Sequence, residues 1–390
     1  MESDGKTPMF NANVMDAQDD ASIKRALVKI KVFGIGGGGN SVLRRLADNT
    51  FAETDLIAVN TDSSVMDFIG SKTVKGLQIG GNMTKGHGTG GNVALGEQAA
   101  KSDIERIKNM MTGADMVFIT AGMGGGTGTG AAPIVAKIAK DMGLLTVGVV
   151  TVPFSFEGRP KQRKAAEGVV KMQSYMDALI VVKNDNLMKL PENRALTIVD
   201  AFRAADSVLI QAIRCIAELI LTTGIVNVDF ADVTTIFRQS ESSDALLGIG
   251  RSTVSAVKAV QQAIESPLID RSLEGARGII LNITGDENLS LHDVNEAADF
   301  IFKQTDEDVN LIFGVVTDNS LNGAVQATII ATNFADSLAM KSPNVEAPRS
   351  AATVARGFNL EVPRFPARNE RKTNVIPAFS LFGSKNNDDK

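Results

Sequence analysis

The sequence predicts an α/β fold: a Rossmann-like domain with a parallel sheet, a long central helix, and then a smaller α+β domain. The first observation is that short continuous runs of Val, Ile and Leu alternate with helical patterns through the N-terminal half. Such runs are typical of a parallel sheet covered on both faces. The second is that apolar residues recur at close to helical spacing over residues 198–223, as far as Gly224. The third is that strand patterns and fewer helices interleave beyond that point.

The individual elements follow from these patterns in chain order. In the first domain we expect strands at 28–33, 55–60, 116–120, 144–150 and 178–183, and helices at 40–47, 94–111 and 131–142. In the second domain we expect helices near 233–239, 253–265 and 291–303, and strands at 278–283, 310–317 and 325–331. Right-handed crossovers place the strand-to-helix loops of the first domain along one edge of the sheet, where ligands usually bind.

The length of 390 residues fits two domains with tails. Residues 1–26 are polar and without a period, so we expect a disordered N-terminal arm. The first domain is predicted at 27–197, the central helix at 198–224, and the second domain at 225–335. Residues 336–375, rich in Pro, Arg, Ala and Asn, are predicted to be a flexible linker. The apolar island that begins at Ile376 makes residues 376–390 a candidate docking tail, although a chance cluster is an alternative.

Composition argues against several classes of protein. Aromatic residues make up only 5% of the chain, with no Trp, and the formal net charge is −5, so we expect no nucleic-acid partner. The single cysteine, Cys215, lies in an apolar helical stretch and is predicted to be a buried thiol in a reducing compartment. We find no secretory signal and no apolar run long enough to span a bilayer. We therefore expect a cytoplasmic protein that does not insert directly into membranes.

The first candidate site is a glycine-rich loop at residues 34–40, Gly-Ile-Gly-Gly-Gly-Gly-Asn, between a predicted strand and a predicted helix. Glycines there let backbone N–H groups approach phosphates, and the helix N-terminus favours their negative charge. The loop also satisfies G-x-G-x-x-G, and Asp62 follows the next strand. A dinucleotide-dependent dehydrogenase is therefore one interpretation. A flexible turn without a ligand is another.

A second glycine-rich loop, at residues 122–130, favours a nucleoside triphosphate. It too lies between a strand and a helix, and two phosphate-gripping loops on neighbouring strands suit a triphosphate better than a single pyrophosphate does. Thr127 and Thr129 add hydroxyl donors where phosphate oxygens would lie. The sequence has no G-x-x-x-x-G-K-[ST], which excludes the ordinary P-loop NTPases.

The segment Gly-Gly-Gly-Thr-Gly-Thr-Gly at 124–130 resembles the signature loop of the tubulin/FtsZ superfamily. The similarity to its bacterial FtsZ branch runs almost continuously from about residue 27 to 334. Matching stretches include Val-Asn-Thr-Asp at 59–62 and Pro-Phe-Ser-Phe-Glu-Gly at 153–158, together with 113–133, 227–233 and 275–285. The resemblance implies a tubulin-like GTPase that uses GTP, releases GDP and phosphate, and requires Mg²⁺. It assigns no protein ligands to the metal.

The resemblance also implies a guanine-nucleotide site built from several segments. The first loop would hold the phosphates, the second the β- and γ-phosphates, and residues 86–92 would sense the γ-phosphate. His87 in that segment is a candidate catalytic base, although a lone histidine among glycines is more often a bystander. Glu157 and Lys161 would lie at the ribose. A carboxylate can accept hydrogen bonds from the N1–H and exocyclic amine of guanine but pairs poorly with adenine, which supports GTP over ATP. The residues assigned to the nucleotide are Gly36, Gly37, Gly38, Gly39, Asn40, Gly124, Gly125, Gly126, Thr127, Gly128, Thr129, Gly130, Glu157, Lys161, Asn184, Phe202 and Asp206.

Residues 227–232, Asn-Val-Asp-Phe-Ala-Asp, allow two interpretations. Taken alone, Asp229 with an acid three residues later is a helix-start pattern. The resemblance instead implies a loop that enters the nucleotide pocket of the next subunit, where Asp229 and Asp232 polarise the attacking water and Asn227 lies near the γ-phosphate. Both can hold together. Such a head-to-tail contact between copies generates an open filament, and hydrolysis would then require assembly.

For the whole chain, the resemblance implies a cytoskeletal protein of bacterial cell division, forming filaments in the cytoplasm at the mid-cell septum. The tail resembles the family's short C-terminal peptide, which docks on membrane-tethering and regulatory division proteins, although Val375 replaces its acid and Ser380 with Leu381 replaces Leu-Arg. The first glycine loop is also one residue shorter than usual, and Lys161 and Val93 replace a common Arg and Pro. A divergent assembly protein with little GTPase activity is the alternative function.

Overall fold

The computed structural model describes residues 28–48, 54–64, 73–190, 193, 195–221, 228–239, 242–273, 275–305 and 308–334. These residues belong to one compact unit. The predicted arm (1–26), linker (336–375) and docking tail (376–390) lie outside the described residues, and so do Gly224 and Asn227.

Ten strands of the described residues form one continuous sheet. They are β1 Ile30–Ile35, β2 Thr54–Asn60, β3 Val74–Gln78, β4 Met116–Gly122, β5 Leu145–Val152, β6 Ala178–Lys183, β7 Asp244–Ser252, β8 Ala276–Gly285, β9 Asn310–Thr317 and β10 Val325–Phe334. Their order is β3-β2-β1-β4-β5-β6-β7-β10-β8-β9. The pairs among β1–β6 are parallel, and β10 is antiparallel to β7 and β8. The predicted parallel sheet is therefore confirmed, and the second set of strands continues it.

Helices cover both faces of this sheet. They are α1 Gly36–Asp48, α2 Gly81–Thr84, α3 Val93–Ser102, α4 Ile104–Met111, α5 Thr127–Asp141, α6 Arg159–Gln173, α7 Asn184–Leu187, α8 Ile198–Leu221, α9 Phe230–Arg238, α10 Ala256–Ile264 and α11 Leu291–Phe302. The predicted central helix is α8. Its buried residues, among them Ile213 and Ile216, share one hydrophobic cluster with Val149 of β5 and Ile280 of β8. The helix therefore packs against strands of both halves of the chain.

The central helix also contains the single cysteine. Cys215 is 2% exposed, so the prediction of a buried thiol is confirmed, and burial raises the pKa of that thiol. Among the described residues no helix has the length and apolar character needed to cross a bilayer.

Among the strands and helices given above, the sequence patterns missed β3, α6 and β7, together with the one-turn helices α2 and α7. β3 is a short strand at the end of the sheet and contains Lys75 and Gly76, so it has no apolar run. α6 is highly charged and buries only Ala165, Gly168, Val169 and Met172. β7 is interrupted by glycines that its neighbour requires: a Cβ on Gly250 would overlap the carbonyl oxygen of Ala259 in α10.

The predicted helix at 94–111 is wrong at one point, because the structure divides it into α3 and α4 at Asp103. The carboxylate of Asp103 accepts a hydrogen bond from the backbone N–H of Gly80 at 2.7 Å and one from the guanidinium of Arg106 at 2.7 Å. These hydrogen bonds hold Asp103 at φ −117° and ψ 24°, outside the helical range, where α3 ends and α4 begins.

Candidate nucleotide-binding site

The two glycine loops lie at the carboxyl ends of adjacent parallel strands, β1 and β4. α1 begins at Gly36, four residues before the predicted start, so the glycines of the first loop form the first helical turn. The second loop leads into α5, which begins at Thr127. Since the first N–H groups of a helix have no partner within the helix, both loops direct unpaired backbone donors to the same edge of the sheet.

Most of these glycines are required by close backbone packing. Gly36 has φ +69°, and a Cβ there would lie 2.8 Å from the backbone nitrogen of Gly128. A Cβ on Gly38 would lie 3.0 Å from the backbone nitrogen of Gly122. The two loops are therefore in direct backbone contact, which a merely flexible turn would not need.

Two other glycines have no such structural reason. Gly37 and Gly125 are exposed, their φ angles are not positive, and a Cβ on either would meet no atom within 4 Å. Packing and backbone strain therefore do not explain them. A bare backbone surface at these positions suits a ligand that approaches the N–H groups closely.

Two residues assigned to the nucleotide hold the loops in shape. Asn40 is 2% exposed; its side-chain N–H donates to the Gly34 carbonyl at 2.7 Å, and its Oδ1 accepts from Asn60 at 2.7 Å. Thr129 is 1% exposed, and its Oγ1 accepts from the Gly124 N–H at 2.8 Å. Both side chains form hydrogen bonds within the protein, so they stabilise the conformation of the loops.

Hydroxyl groups from three segments meet beside the second loop. The Oγ1 atom of Thr127 lies 2.8 Å from that of Thr61 and 3.4 Å from that of Thr89. Thr61 belongs to the matched segment 59–62 but received no role from the sequence. It directly follows β2 at the same sheet edge as the glycine loops, and this position is the signal that could have identified it.

A pocket of about 180 Å³ opens between the two loops and the start of α8. Because ligand pockets of typical size are about 300–1,000 Å³, it would enclose only part of a nucleotide, with the phosphates lying along the open loops. Seven residues that the resemblance assigned to the nucleotide line it: Gly38, Gly125, Glu157, Lys161, Asn184, Phe202 and Asp206.

One end of this pocket has the groups expected for a base and a ribose. Phe202 is 41% exposed, and its ring packs edge-on against Phe154 at 5.4 Å between centroids. Asn184 is 4% exposed, and its Oδ1 has no hydrogen-bond partner among the described residues. Glu157 accepts a hydrogen bond from the Phe154 N–H at 3.0 Å and pairs with Lys161 at 3.1 Å.

Asp206 is the acid of this pocket. Its carboxylate lies 3.2 Å from the Nε of Arg45 on α1, and its side chain is 17% exposed. Burial raises the pKa of Asp206 to about 6, while Arg45 and then Arg44 oppose the rise. Sequence reasoning missed Arg45, because nothing in the pattern of α1 shows that α8 packs beside it.

The predicted catalytic acids lie elsewhere. Asp229 is exposed and is the N-cap of α9, with its Oδ1 accepting from the Ala231 N–H at 3.4 Å, as the helix-start interpretation predicts. Asp232 is exposed in the first turn. At the other end of α9, Arg238 donates to the carbonyl of Gly143, which precedes β5. That is the amino-terminal edge of the sheet, opposite the glycine loops.

The described residues offer no group of three or more His, Cys, Asp or Glu side chains that could hold a metal ion. Mg²⁺ usually keeps several waters and binds through one or two carboxylates together with substrate phosphates. The hydroxyl of Thr127 lies within hydrogen-bond distance of those of Thr61 and Thr89, and Thr61 is 0% exposed, so a bound ion would depend chiefly on the phosphates and on water. When bound, the ion would neutralise phosphate charge.

A parallel sheet that carries two glycine-rich helix starts and a mixed polar and aromatic pocket at one edge defines a nucleotide-binding α/β protein. Comparison with known proteins makes the class specific. Residues 29–192 match the Tubulin/FtsZ family, GTPase domain, and residues 243–335 match the FtsZ family, C-terminal domain. The stretch between the two matches contains α8 and α9.

Solved structures agree with these matches. The fold is similar to FtsZ from M. jannaschii, described as an empty dimer, with 38% identity, a TM-score of 0.75, and coverage of 79% of this chain and 89% of that one. A mutant of the M. jannaschii protein also has 38% identity and a TM-score of 0.75, with coverage of 79% of this chain and 92% of that one. CetZ2 from Haloferax volcanii, described as a GTPγS-bound protofilament, shares the fold with 21% identity and a TM-score of 0.65, with coverage of 78% of this chain and 92% of that one. The chain therefore belongs to the tubulin/FtsZ family.

Proposed function

We propose that this chain hydrolyses GTP and assembles head to tail into filaments of the bacterial cell-division septum. Each active site would be completed by residues 227–232 of the next subunit. The observation that carries this proposal is the separation of two half-sites along α8. The nucleotide pocket lies beside its beginning, and the acids of α9 follow its far end.

The length of α8 separates the pocket from the far end of the helix. Asp206 and Leu221 are 15 residues apart on α8, which at 1.5 Å per residue is about 22 Å. Asp229 comes eight residues later still. The acids are therefore poorly placed to act on the nucleotide of their own chain, whereas their exposure leaves them accessible to a second copy.

The pocket itself favours guanine. An ionised Asp206 accepts hydrogen bonds from the N1–H and exocyclic amine of guanine, and adenine has no equivalent pair of donors. The unpartnered Oδ1 of Asn184 supplies a further acceptor, and Phe202 supplies an aromatic face. The phosphates would then reach the bare backbone of Gly37 and Gly125.

Within one chain, the described residues supply no convincing base beside the phosphates. Asp62 follows Thr61, but its Oδ1 accepts hydrogen bonds from the Ser64 N–H at 3.0 Å and the Ser64 hydroxyl at 2.7 Å. A positioned acid from the next subunit, Asp232 or Asp229, would polarise the attacking water, with Asn227 near the γ-phosphate. The similar protein described as a dimer supports self-association of such chains.

The test is phosphate release from GTP with Mg²⁺ over a series of protein concentrations, together with sedimentation. We expect a threshold concentration, above which turnover per molecule rises. Asp232→Ala should still pellet with GTP but lose activity by roughly 10²–10⁴-fold, the usual contribution of general acid–base groups. Glu105→Ala is the matched control, because Glu105 is also an exposed acid in the first turn of a helix. Activity strictly proportional to protein, or unchanged in Asp232→Ala, would contradict the shared site.

Pelleting with GTP but without phosphate release would favour the alternative, a divergent assembly protein with little GTPase activity.

We also propose that residues 376–390 dock on membrane-tethering and regulatory division proteins, which would hold cytoplasmic filaments at mid-cell. A fluorescent copy that ends at residue 375 should then assemble in vitro but fail to form mid-cell rings. Normal rings without the tail would exclude this docking role.

A further inference from the structure

Lys164 on α6 makes a long-range contact that the sequence did not suggest. Its ammonium donates a 2.7 Å hydrogen bond to the carbonyl oxygen of Gly91, 73 residues earlier in the chain. Lys164 is partly buried, whereas Lys161 and Lys171 of the same helix have side chains 53% and 56% exposed. A partly buried, charge-assisted hydrogen bond is stronger than an exposed ion pair.

The acceptor belongs to residues 86–92, the loop to which the resemblance assigned sensing of the γ-phosphate. Gly91 has φ +76°, which only glycine adopts readily. The loop lies directly on the second glycine loop: a Cβ on Gly126 would overlap the Thr89 hydroxyl and lie 2.9 Å from the carbonyl carbon of Gly91. From there Thr89 reaches Thr127, with 3.4 Å between their hydroxyl oxygens.

We propose that Lys164 is a positioning residue, which tethers residues 86–92 in the place where Thr89 meets Thr127 and thereby lets the site distinguish a triphosphate from a diphosphate. The inference rests on the proposed function. A loop with four glycines at positive φ has much conformational freedom to lose. The tether removes part of that freedom in advance, so a γ-phosphate that contacts the loop binds at a lower entropic cost.

The diphosphate supplies the contrast. GDP lacks the γ-phosphate that would contact the loop, so it should gain little from a loop that is already ordered. A group can shift an equilibrium only by its differential interaction with the two states, and here the two states are the triphosphate and diphosphate complexes. Loss of the tether should therefore weaken one ligand and spare the other.

The experiment measures dissociation constants of GTPγS and GDP below the assembly threshold, for the wild type and three variants. For Lys164→Met we expect roughly tenfold weaker GTPγS binding, the lower end of the loss of a charge-assisted hydrogen bond, and GDP binding changed less than about twofold. Lys164→Arg, which keeps a charged donor, should restore most of the difference. Lys171→Met removes the same charge two turns later, where Lys171 pairs with Glu97, and should match the wild type.

Amide hydrogen exchange of residues 86–92 without nucleotide is the second readout, and it should be faster in Lys164→Met than in Lys171→Met. Unchanged exchange, or equal losses for GTPγS and GDP, would overturn the inference, because the lysine would then act as a general charge or a packing group. If the wild type binds no guanine nucleotide, the proposed function fails, while the exchange measurement still tests the tether.

Discussion

Lowering the pH should weaken guanine-nucleotide binding through Asp206. Burial raises the pKa of this carboxyl to about 6, against the opposing effects of Arg45 and Arg44. Only the ionised carboxylate can accept both hydrogen bonds from the donor edge of guanine. Protonation near pH 6 therefore removes the binding-competent form, at a pH where an ordinary Asp remains ionised.

The size of the effect follows from the ionised fraction. With a pKa of about 6, roughly 90% of Asp206 is ionised at pH 7 and roughly 10% at pH 5. Apparent affinity scales with the competent fraction, so the dissociation constant of GDP should rise about tenfold between these pH values. Stability should change in the opposite sense. Because the folded pKa lies above the unfolded one, this group stabilises the nucleotide-free fold below about pH 4, and that contribution is lost as the pH rises to about 6.

Calorimetric titration with GDP at pH 7, 6 and 5 measures the effect, and circular dichroism at each pH verifies the fold. Asp206→Asn cannot titrate at this position, so its GDP binding should be weak and should lose most of the pH dependence of the wild type, with only the titration of the GDP phosphate left. The same variant should bind xanthosine diphosphate better than the wild type does, since an amide N–H can donate to the 2-oxo group of xanthine. A pH-independent wild type, or an unchanged pH dependence in Asp206→Asn, would refute the assignment of Asp206 to the base.

Two further pairs of variants separate binding from packing. Gly37→Ala adds a Cβ to open space, so its free energy of unfolding should stay within ~0.5 kcal/mol of the wild-type value while GDP binds more weakly. In Gly39→Ala the Cβ would overlap the carbonyl of Thr120, so the free energy of unfolding should fall by roughly 1–3 kcal/mol. Urea unfolding and GDP titration distinguish them, and equal stabilities would refute the packing argument. Phe237 is 1% exposed, so Phe237→Ala should lower the free energy of unfolding by about 3–5 kcal/mol, whereas Phe302→Ala, at a residue 50% exposed, should lower it much less. Similar losses of stability in the two variants would contradict the assignment of Phe237 to the core.

The sequence predicted elements well where one local signal dominates. The observed bounds of β6 and β9 are those predicted, because each is a mostly apolar run that ends at a polar residue, Lys183 in β6 and Thr317 in β9. It failed where a neighbour determines the residue type. The glycines of β7 weaken a strand pattern, yet the structure requires small residues there because the backbone of α10 approaches closely.

The site divides in the same way. The glycine loops are visible in the sequence because their N–H groups act locally, between a strand and the helix that follows it. Asn184, Phe202 and Asp206 were identified only through the family resemblance, since they come from separate elements that the fold brings together. Arg45 and Lys164 had no signal that could identify their partners, whereas the position of Thr61 directly after β2 was a signal that could have been used. The sequence also cannot show that Asn40 and Thr129 direct their side chains into the protein.

The glycines of the two loops give a criterion that separates a ligand site from a tight turn without reference to relatives. Where an added Cβ would strike backbone, as at Gly36 or Gly39, packing is sufficient to explain the residue. Where it would enter open space at an ordinary φ, as at Gly37 and Gly125, neither packing nor strain explains it. Glycine destabilises a helix relative to alanine, so Gly37, in the first turn of α1, is retained at a thermodynamic disadvantage. Exposure of helix N–H groups to an anion would offset that disadvantage, and this argues that the loops serve a phosphate ligand.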